Sequence, residues 1–359
     1  MERLTRLQAW VEQVLPEPLR ALAPASADAS FRRYFRATTE GGSYIVMDAP
    51  PSHEDCRPYI HVARLFRAAG ANTPEILAQD LQQGFLLLTD FGNATYLHAL
   101  GSPTPCRNES DSAAAAVGLA DFAEPGAHAC ADNADRLYRD ANAALIRIQV
   151  ASRAGELPAY DRELLLRELR LFPDWYVGRH LRCELAPDQR RVLEDSFEAI
   201  LANNLAQPQV YVHRDWHSRN LMVTEPNPGV LDFQDAVYGP ITYDLVSLYK
   251  DAYIYWEEER VLDWVIRYWE SARRAGLPVH ADFAAFFRDF EWMGVQRHLK
   301  VLGIFARLYH RDGKDGYLKD MPLVLHYLRR ACERYGELHG LLRLLDAIEG
   351  RQPQAGYTF

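Results

Sequence analysis

Hydrophobic positions follow two rhythms along this chain. The first is short and strand-like. Ala29 to Arg36 and Ser43 to Asp48 flank Glu40-Gly41-Gly42, which reads as a hairpin turn. Pro74 to Ala78 and Gly84 to Leu88 read as two further strands. Leu4, Leu7, Val11 and Val14 recur at helical spacing ahead of them, and a helix from about Arg57 to Ala69 closes on Gly70. Beyond about residue 136 the period turns helical. It is clear in Leu137 to Gln149, Glu163 to Leu169, Val192 to Leu201, Leu262 to Ala272, Phe283 to Phe290 and Pro322 to Arg330. Trp264, Tyr268 and Trp269 fall on such faces and are read as core. Three short apolar runs interrupt the helices: Gln209 to Val212, Leu221 to Val223 and Gly229 to Leu231.

This pattern predicts an α+β chain in two lobes. Residues 1–92 make a small lobe on an antiparallel sheet, and residues 136–359 a larger, mainly helical one. Residues 101–135, rich in Ala, Ser, Pro, Gly, Asn and Asp, keep neither period. Connections this long are uncommon inside a compact chain, and this one is read as a mobile excursion rather than a catalytic element.

The polar residues beside the short runs carry the chemistry. His213-Arg214-Asp215-Trp216-His217-Ser218-Arg219-Asn220 follows the first run, and Asp232-Phe233-Gln234 follows the third. Phosphoryl transfer needs a carboxylate that orients and deprotonates the attacking hydroxyl, and ligands that hold Mg²⁺ against nucleotide phosphates. Asp215 suits the first task; Asn220 and Asp232 offer hard oxygen donors for the second. Soon after Asp232 the chain reaches Tyr243-Asp244-Leu245, which leaves no room for the long activation loop of a protein kinase. A small-molecule hydroxyl is the expected acceptor.

The loop resembles that of the aminoglycoside phosphotransferase superfamily, with His213, Asp215, His217 and Asn220 on its four polar positions. The resemblance implies a bilobal protein-kinase-like fold, with ATP and Mg²⁺ as cofactors. It also implies that Asp244 braces the catalytic loop, and that His217 stands where related loops place a lysine that steadies the phosphate. The adenine is expected at the hinge, against backbone groups from Leu88 to Phe91. Asp90-Phe91-Gly92 spells a protein-kinase metal motif but ends a strand far upstream of the loop, so Asp90 is read as a hinge residue.

Two features depart from the kinase pattern. The covering segment Ala29-Ser30-Phe31-Arg32-Arg33 has no glycine, and Met47 or Asp48 stands where the phosphate-pairing lysine belongs. Arg32 and Arg33 are the nearest replacements, since guanidinium groups suit phosphate oxygens. Alternate residues of a strand face opposite sides, so only one of the two should look at the nucleotide.

Composition acts by exclusion. A net charge of −9 with no basic tract excludes a nucleic-acid binder. Five scattered cysteines without a C-x-x-C pair suggest reduced thiols rather than a disulfide frame or zinc site. No signal-peptide core and no membrane-spanning run is present, so a cytoplasmic enzyme with no obligate protein partner is expected.

Arg167 to Tyr176, Gln296 to Leu308, Ser30 to Phe35 and Met47 to Pro51 resemble the cell-wall amino-sugar kinases. Those enzymes phosphorylate the anomeric hydroxyl of N-acetylmuramic acid and N-acetylglucosamine, so the resemblance implies an amino-sugar substrate. Arg297 and Lys300 are i, i+3 neighbours. They form either a cationic face for the lactyl carboxylate or an exposed face of a packing helix. Trp175 and Tyr176 either stack on the sugar or belong to the core. Two other readings stay open: a kinase of another small alcohol (aminoglycoside, choline, homoserine or fructosamine), and a nucleotide-binding pseudokinase without catalysis.

Overall fold

Five antiparallel strands in the order β1-β2-β3-β5-β4 organise the first lobe: β1 (Ala21–Ala27), β2 (Arg33–Thr38), β3 (Ser43–Asp48), β4 (Ile76–Asp80) and β5 (Phe85–Thr89). The computed structural model describes residues 2–27, 31–101 and 129–351. β1 escapes the sequence pattern because it has no β-branched residue and contains Pro24. That proline sits on an edge strand beside a register shift, where it is tolerated. The segment ahead of β2 therefore joins it to β1. The strand expected over 29–36 begins at Arg33, and the Glu40-Gly41-Gly42 turn lies at the other end of the β2–β3 hairpin. Residues 28–30 lie outside the described residues.

The two faces of the sheet have different partners. On the outer face, Leu7, Trp10 and Val11 of α1 (Glu2–Val14) pack on Ala37, Val46, Phe85 and Leu87. On the inner face, Met47, Leu86 and Leu88 join Tyr59, Ile60 and Phe66 of α2 (Cys56–Ala68), in a core that runs on through Phe233 into the second lobe. Asp55 caps α2 by accepting from Arg57 N, and Gly70 turns the chain at φ +81°.

The second lobe is helical around one small strand region. Its helices are α3 (Tyr96–Leu100), α4 (Ala129–Val150), α5 (Arg162–Leu169), a π-helix (Phe172–His180), α6 (Pro187–Leu205), α7 (Tyr243–Tyr249), α8 (Glu258–Arg274), α9 (Phe283–Asp312), α10 (Met321–Arg334) and α11 (His339–Glu349). β6 (Gln209–Val212) pairs with β9 (Val237–Pro240), and β7 (Leu221–Met222) with β8 (Gly229–Val230), both antiparallel. The long α9 is central. Its Gly303 lets the π-helix segment approach closely, since an added Cβ would lie 2.4 Å from the carbonyl carbon of Leu171. Trp264 and Tyr268 are buried, as their spacing predicts.

α4 starts at Ala129, so the last residues of the expected 101–135 excursion are helical; within them Asp135 accepts from Trp264 Nε1 at 2.8 Å. The rest of that tract, 102–128, lies outside the described residues. Its flanks meet: Asn133 Nδ2 donates to Ala99 O at 3.2 Å, and Tyr96 Oη to Leu137 O at 3.0 Å. Among the described residues no helix is long and apolar enough to cross a membrane, and Cys56, Cys183 and Cys332 are free thiols.

Candidate active site

The loop between β6 and β7 is clamped at both ends by buried carboxylates. Asp244, in the first turn of α7, accepts from His213 N at 2.7 Å and Arg214 N at 3.0 Å. These bonds hold Arg214 in the left-handed region at φ 77°, a cost the clamp must offset. Burial pushes Asp244 up to about 7 even though the two amides favour its charged form. Asp251, just past α7, accepts from Ser218 N at 3.0 Å and Ser218 Oγ at 2.6 Å. His213 ties the loop to the chain just past β8: its Nδ1 accepts from Asp215 N at 3.2 Å, and its Nε2 lies 2.9 Å from Leu231 O. Those partners select the neutral tautomer protonated on Nε2, and burial pushes its pKa down to about 4.

Asp215 presents its carboxylate at the surface of this loop, with 43% of the side chain exposed. Arg297 of α9 stands beside it, Nη1 lying 3.8 Å from Oδ1 and donating to Arg214 O at 2.9 Å. Behind Arg297, Lys300 donates to Tyr243 Oη at 2.9 Å and pairs with Glu168 Oε1 at 3.0 Å; Glu168 also bonds Arg214 and Tyr160. Desolvation opposes ionisation of Asp215, but Lys300 and Arg297 outweigh it and hold the carboxyl well below the usual carboxylate range. The two cations thus favour the charged form of Asp215.

Asn220 and Asp232 face the same loop. Asn220 Nδ2 donates to Asp215 O at 3.0 Å, which commits the amide nitrogen and leaves Oδ1 for another partner. Asp232 sits at φ 60°, a left-handed conformation for a non-glycine residue, with Gln234 Nε2 on its Oδ1 at 2.8 Å. Gln234 Oε1 is buried there without a protein partner. Two hard oxygen donors beside an orphaned polar atom fit a Mg²⁺ ion.

Strand alternation separates the two covering arginines. Arg32 reaches the site, Nη2 lying 3.9 Å from Asp232 Oδ1. Arg33 lies opposite Asp48 on the outer face, bonding its carboxylate together with Arg3. Arg33 is thus committed to Asp48 on the face away from Arg32 and Asp232. Met47 points inward, and where protein kinases pair a lysine with a helix glutamate, Met47 and Tyr59 share one buried apolar cluster.

Asp90 spends its carboxylate on Arg36 Nε at 2.5 Å, Ser43 Oγ at 2.7 Å and Gly92 N at 2.8 Å. That is a brace across the ends of the interior strands β2, β3 and β5. Leu88 is buried in the inner strand β5. Phe91 marks the passage between lobes, its ring packed so closely on Gly229 of β8 that a Cβ there would lie 2.7 Å from Cδ2.

The expected sugar contacts are rearranged. Arg297 and Lys300 share a face as their spacing requires, but both are buried, so the face is neither open nor exposed. Tyr176 is buried and stacks on Phe172 at 5.3 Å and His180 at 5.8 Å, which makes it a core residue; Trp175 is half-buried against the same core. His217 packs on Tyr253 at 5.5 Å, and burial lowers its pKa, which favours the neutral ring. Sequence reasoning missed Glu168, Asp251 and Tyr243. Glu168 left one signal, a carboxylate on the face of α5 that buries Leu165 and Leu169.

Comparison with known proteins agrees with this geometry. The phosphotransferase enzyme family model matches residues 21–283. A protein of Neisseria meningitidis named N-acetylmuramate/N-acetylglucosamine kinase is 49% identical, the match covering 100% of both chains. A Pseudomonas aeruginosa protein of the same name is 47% identical over 96% of this chain and 97% of its own. Among solved structures, an ADP-bound aminoglycoside phosphotransferase aligns with TM-score 0.55 at 14% identity, covering 90% of this chain and 97% of that one. A choline kinase from Streptococcus pneumoniae aligns with TM-score 0.60 at 10% identity, covering 91% and 99%, and these two share the fold. The chain belongs to the phosphotransferase enzyme family, alongside the proteins named N-acetylmuramate/N-acetylglucosamine kinase.

Proposed function

We propose that the chain is an ATP-dependent kinase that phosphorylates the anomeric hydroxyl of N-acetylmuramic acid and N-acetylglucosamine, in the recycling of cell-wall sugars in the cytoplasm. The observation that carries this is Asp215, an ionised, half-exposed carboxylate in one rigid turn with Asn220, beside Asp232. The relatives' names supply the acceptor class. The anomeric hydroxyl is the most acidic on such a ring, so it yields its proton to a weakly basic carboxylate more readily than O6 does.

Asp215 orients O1 and takes its proton as the O1–Pγ bond forms; the bond from Pγ to the bridging oxygen breaks and ADP leaves. Asn220 Oδ1 and Asp232 would hold Mg²⁺, which when bound neutralises charge on the nucleotide phosphates. Arg32 covers the phosphates in place of the missing lysine. Main-chain groups at Asp90–Phe91, past Leu88, receive the adenine. Arg297 fixes the position of Asp215 and Lys300 sustains its charge, while Asp244 and Asp251 hold the loop between them.

Product mapping tests the reading. The purified chain with Mg·ATP should phosphorylate both sugars at O1 and fail on their 1-O-methyl glycosides. A 6-phosphate product, or equal use of the methyl glycosides, overturns it.

A further inference from the structure

Arg219 belongs to the catalytic loop but not to the cluster around Asp215. Its guanidinium lies over Tyr253, the central carbon 3.6 Å from the ring centroid, with Tyr317 at 5.7 Å. Among the described residues its guanidinium forms no hydrogen bond and no ion pair within 4 Å; it rests on these rings, with the buried carboxylate of Asp320 near enough to feel its charge. The rings form a continuous wall: His217 on Tyr253 at 5.5 Å, Tyr253 on Phe305 at 6.3 Å, Phe305 on Tyr317 at 5.2 Å. Asp251 ties the wall to the loop clamp by accepting from Tyr253 N at 3.1 Å. Two polar atoms are shut into it without protein partners, His217 Nδ1 and Oδ2 of Asp320, a residue only 7% exposed. Buried polar atoms left unpaired cost free energy, which a ligand supplying the partner recovers. Aromatic rings, a planar donor fork and a carboxylate along one wall suit an oxygen-rich ring that carries an anionic substituent.

The other cations fit that anion less well. Arg297 is buried against the loop, where its Nη1 already donates to Arg214 O at 2.9 Å and stands 3.8 Å from Asp215 Oδ1. Lys300 is already shared by Glu168 and Tyr243 and is buried behind Arg297.

We infer that Arg219, seated on Tyr253, takes the carboxylate of the acceptor, with His217, Tyr253 and Asp320 as the wall on which the sugar ring lies. This rests on the amino-sugar kinase reading and assigns the residue that distinguishes the two sugars. Arg219 makes its charge-assisted contact with N-acetylmuramic acid alone, since N-acetylglucosamine has no carboxylate.

The test is steady-state kinetics of the full-length wild type and Arg219→Gln on both sugars at saturating Mg·ATP. For N-acetylmuramic acid, kcat/KM should fall about 10- to 100-fold, the worth of a hydrogen bond to a charged group. The loss should sit mainly in KM. For N-acetylglucosamine the fall should be about threefold or less, and that residual turnover also reports that the variant is folded. Equal losses on both sugars in a folded variant, or no loss on either, overturn the assignment. If Arg219→Gln does not fold, Arg219→Lys replaces it: a loss skewed toward N-acetylmuramic acid supports the assignment, and its absence overturns it. A wild type that uses neither sugar refutes the amino-sugar reading itself, a result distinct from an active wild type with an unskewed variant.

Discussion

The side-chain amide of Asn220 donates to the main-chain carbonyl of Asp215 at 3.0 Å, so the proposed base and the proposed metal ligand share one turn. Asn220→Asp keeps an oxygen for the cation but loses that donor and sets a second carboxylate near Asp215. Turnover should fall on the order of 10- to 100-fold, matching a lost hydrogen bond and an unpaired acceptor. Asp215→Asn removes the proton acceptor while leaving the turn intact, and should cost about 10²–10⁴-fold in kcat with nucleotide binding kept. Wild-type turnover in either variant would separate that residue from the chemistry.

The two D-F sequences should respond in opposite ways. Asp232→Ala should abolish Mg²⁺-dependent turnover while the protein still melts cooperatively. Asp90→Ala should leave the catalytic step working but destabilise the sheet by roughly 1–3 kcal/mol, since Arg36 of β2 and Ser43 of β3 lose their shared acceptor. Paired thermal melts and assays of both variants decide this.

Arg32→Gln should raise the KM for ATP about tenfold or more, because it removes the cation facing Asp232. Arg33→Gln should leave that KM within about twofold and lower the melting temperature instead, as Arg33 bonds the buried Asp48. A larger ATP effect from Arg33 would mean that the two strand faces are exchanged.

His213 makes stability sensitive to acid. In the unfolded chain it titrates near 6.5, and in the fold burial pushes it down to about 4. The stability it contributes is therefore fully present above about 6.5 and is lost as pH falls through about 4, up to roughly 3 kcal/mol. Urea unfolding at several pH values should show this decline in the wild type and a shallower one in His213→Gln. Equal slopes would assign the acid sensitivity to other groups.

Much of this was legible in the residues, because the catalytic loop is local. Asp215, Asn220 and Asp232 flank one hairpin whose short apolar runs announce its strands. What stayed hidden depends on distant contacts. Pro24 and the absence of β-branched residues concealed β1, which exists because β2 offers it an edge. The burial of Lys300 follows from Glu168, and that of Arg297 from Asp215, residues far away in sequence whose charges compensate theirs. The distinction between Arg32 and Arg33 needed the register of β2 against β3, which puts Asp48 opposite the second of them.

The hydrogen bond from Asn133 to Ala99 brings together the two ends of the chain that flank residues 102–128. A connection that leaves and returns at one point adds no span for the fold to bridge. For a flexible linker put in its place, each doubling of length raises the closure cost by only about 0.6 kcal/mol. This position is thus a natural port in the molecule, where a short Gly/Ser bridge or a whole inserted domain could be carried while the two lobes keep their alignment.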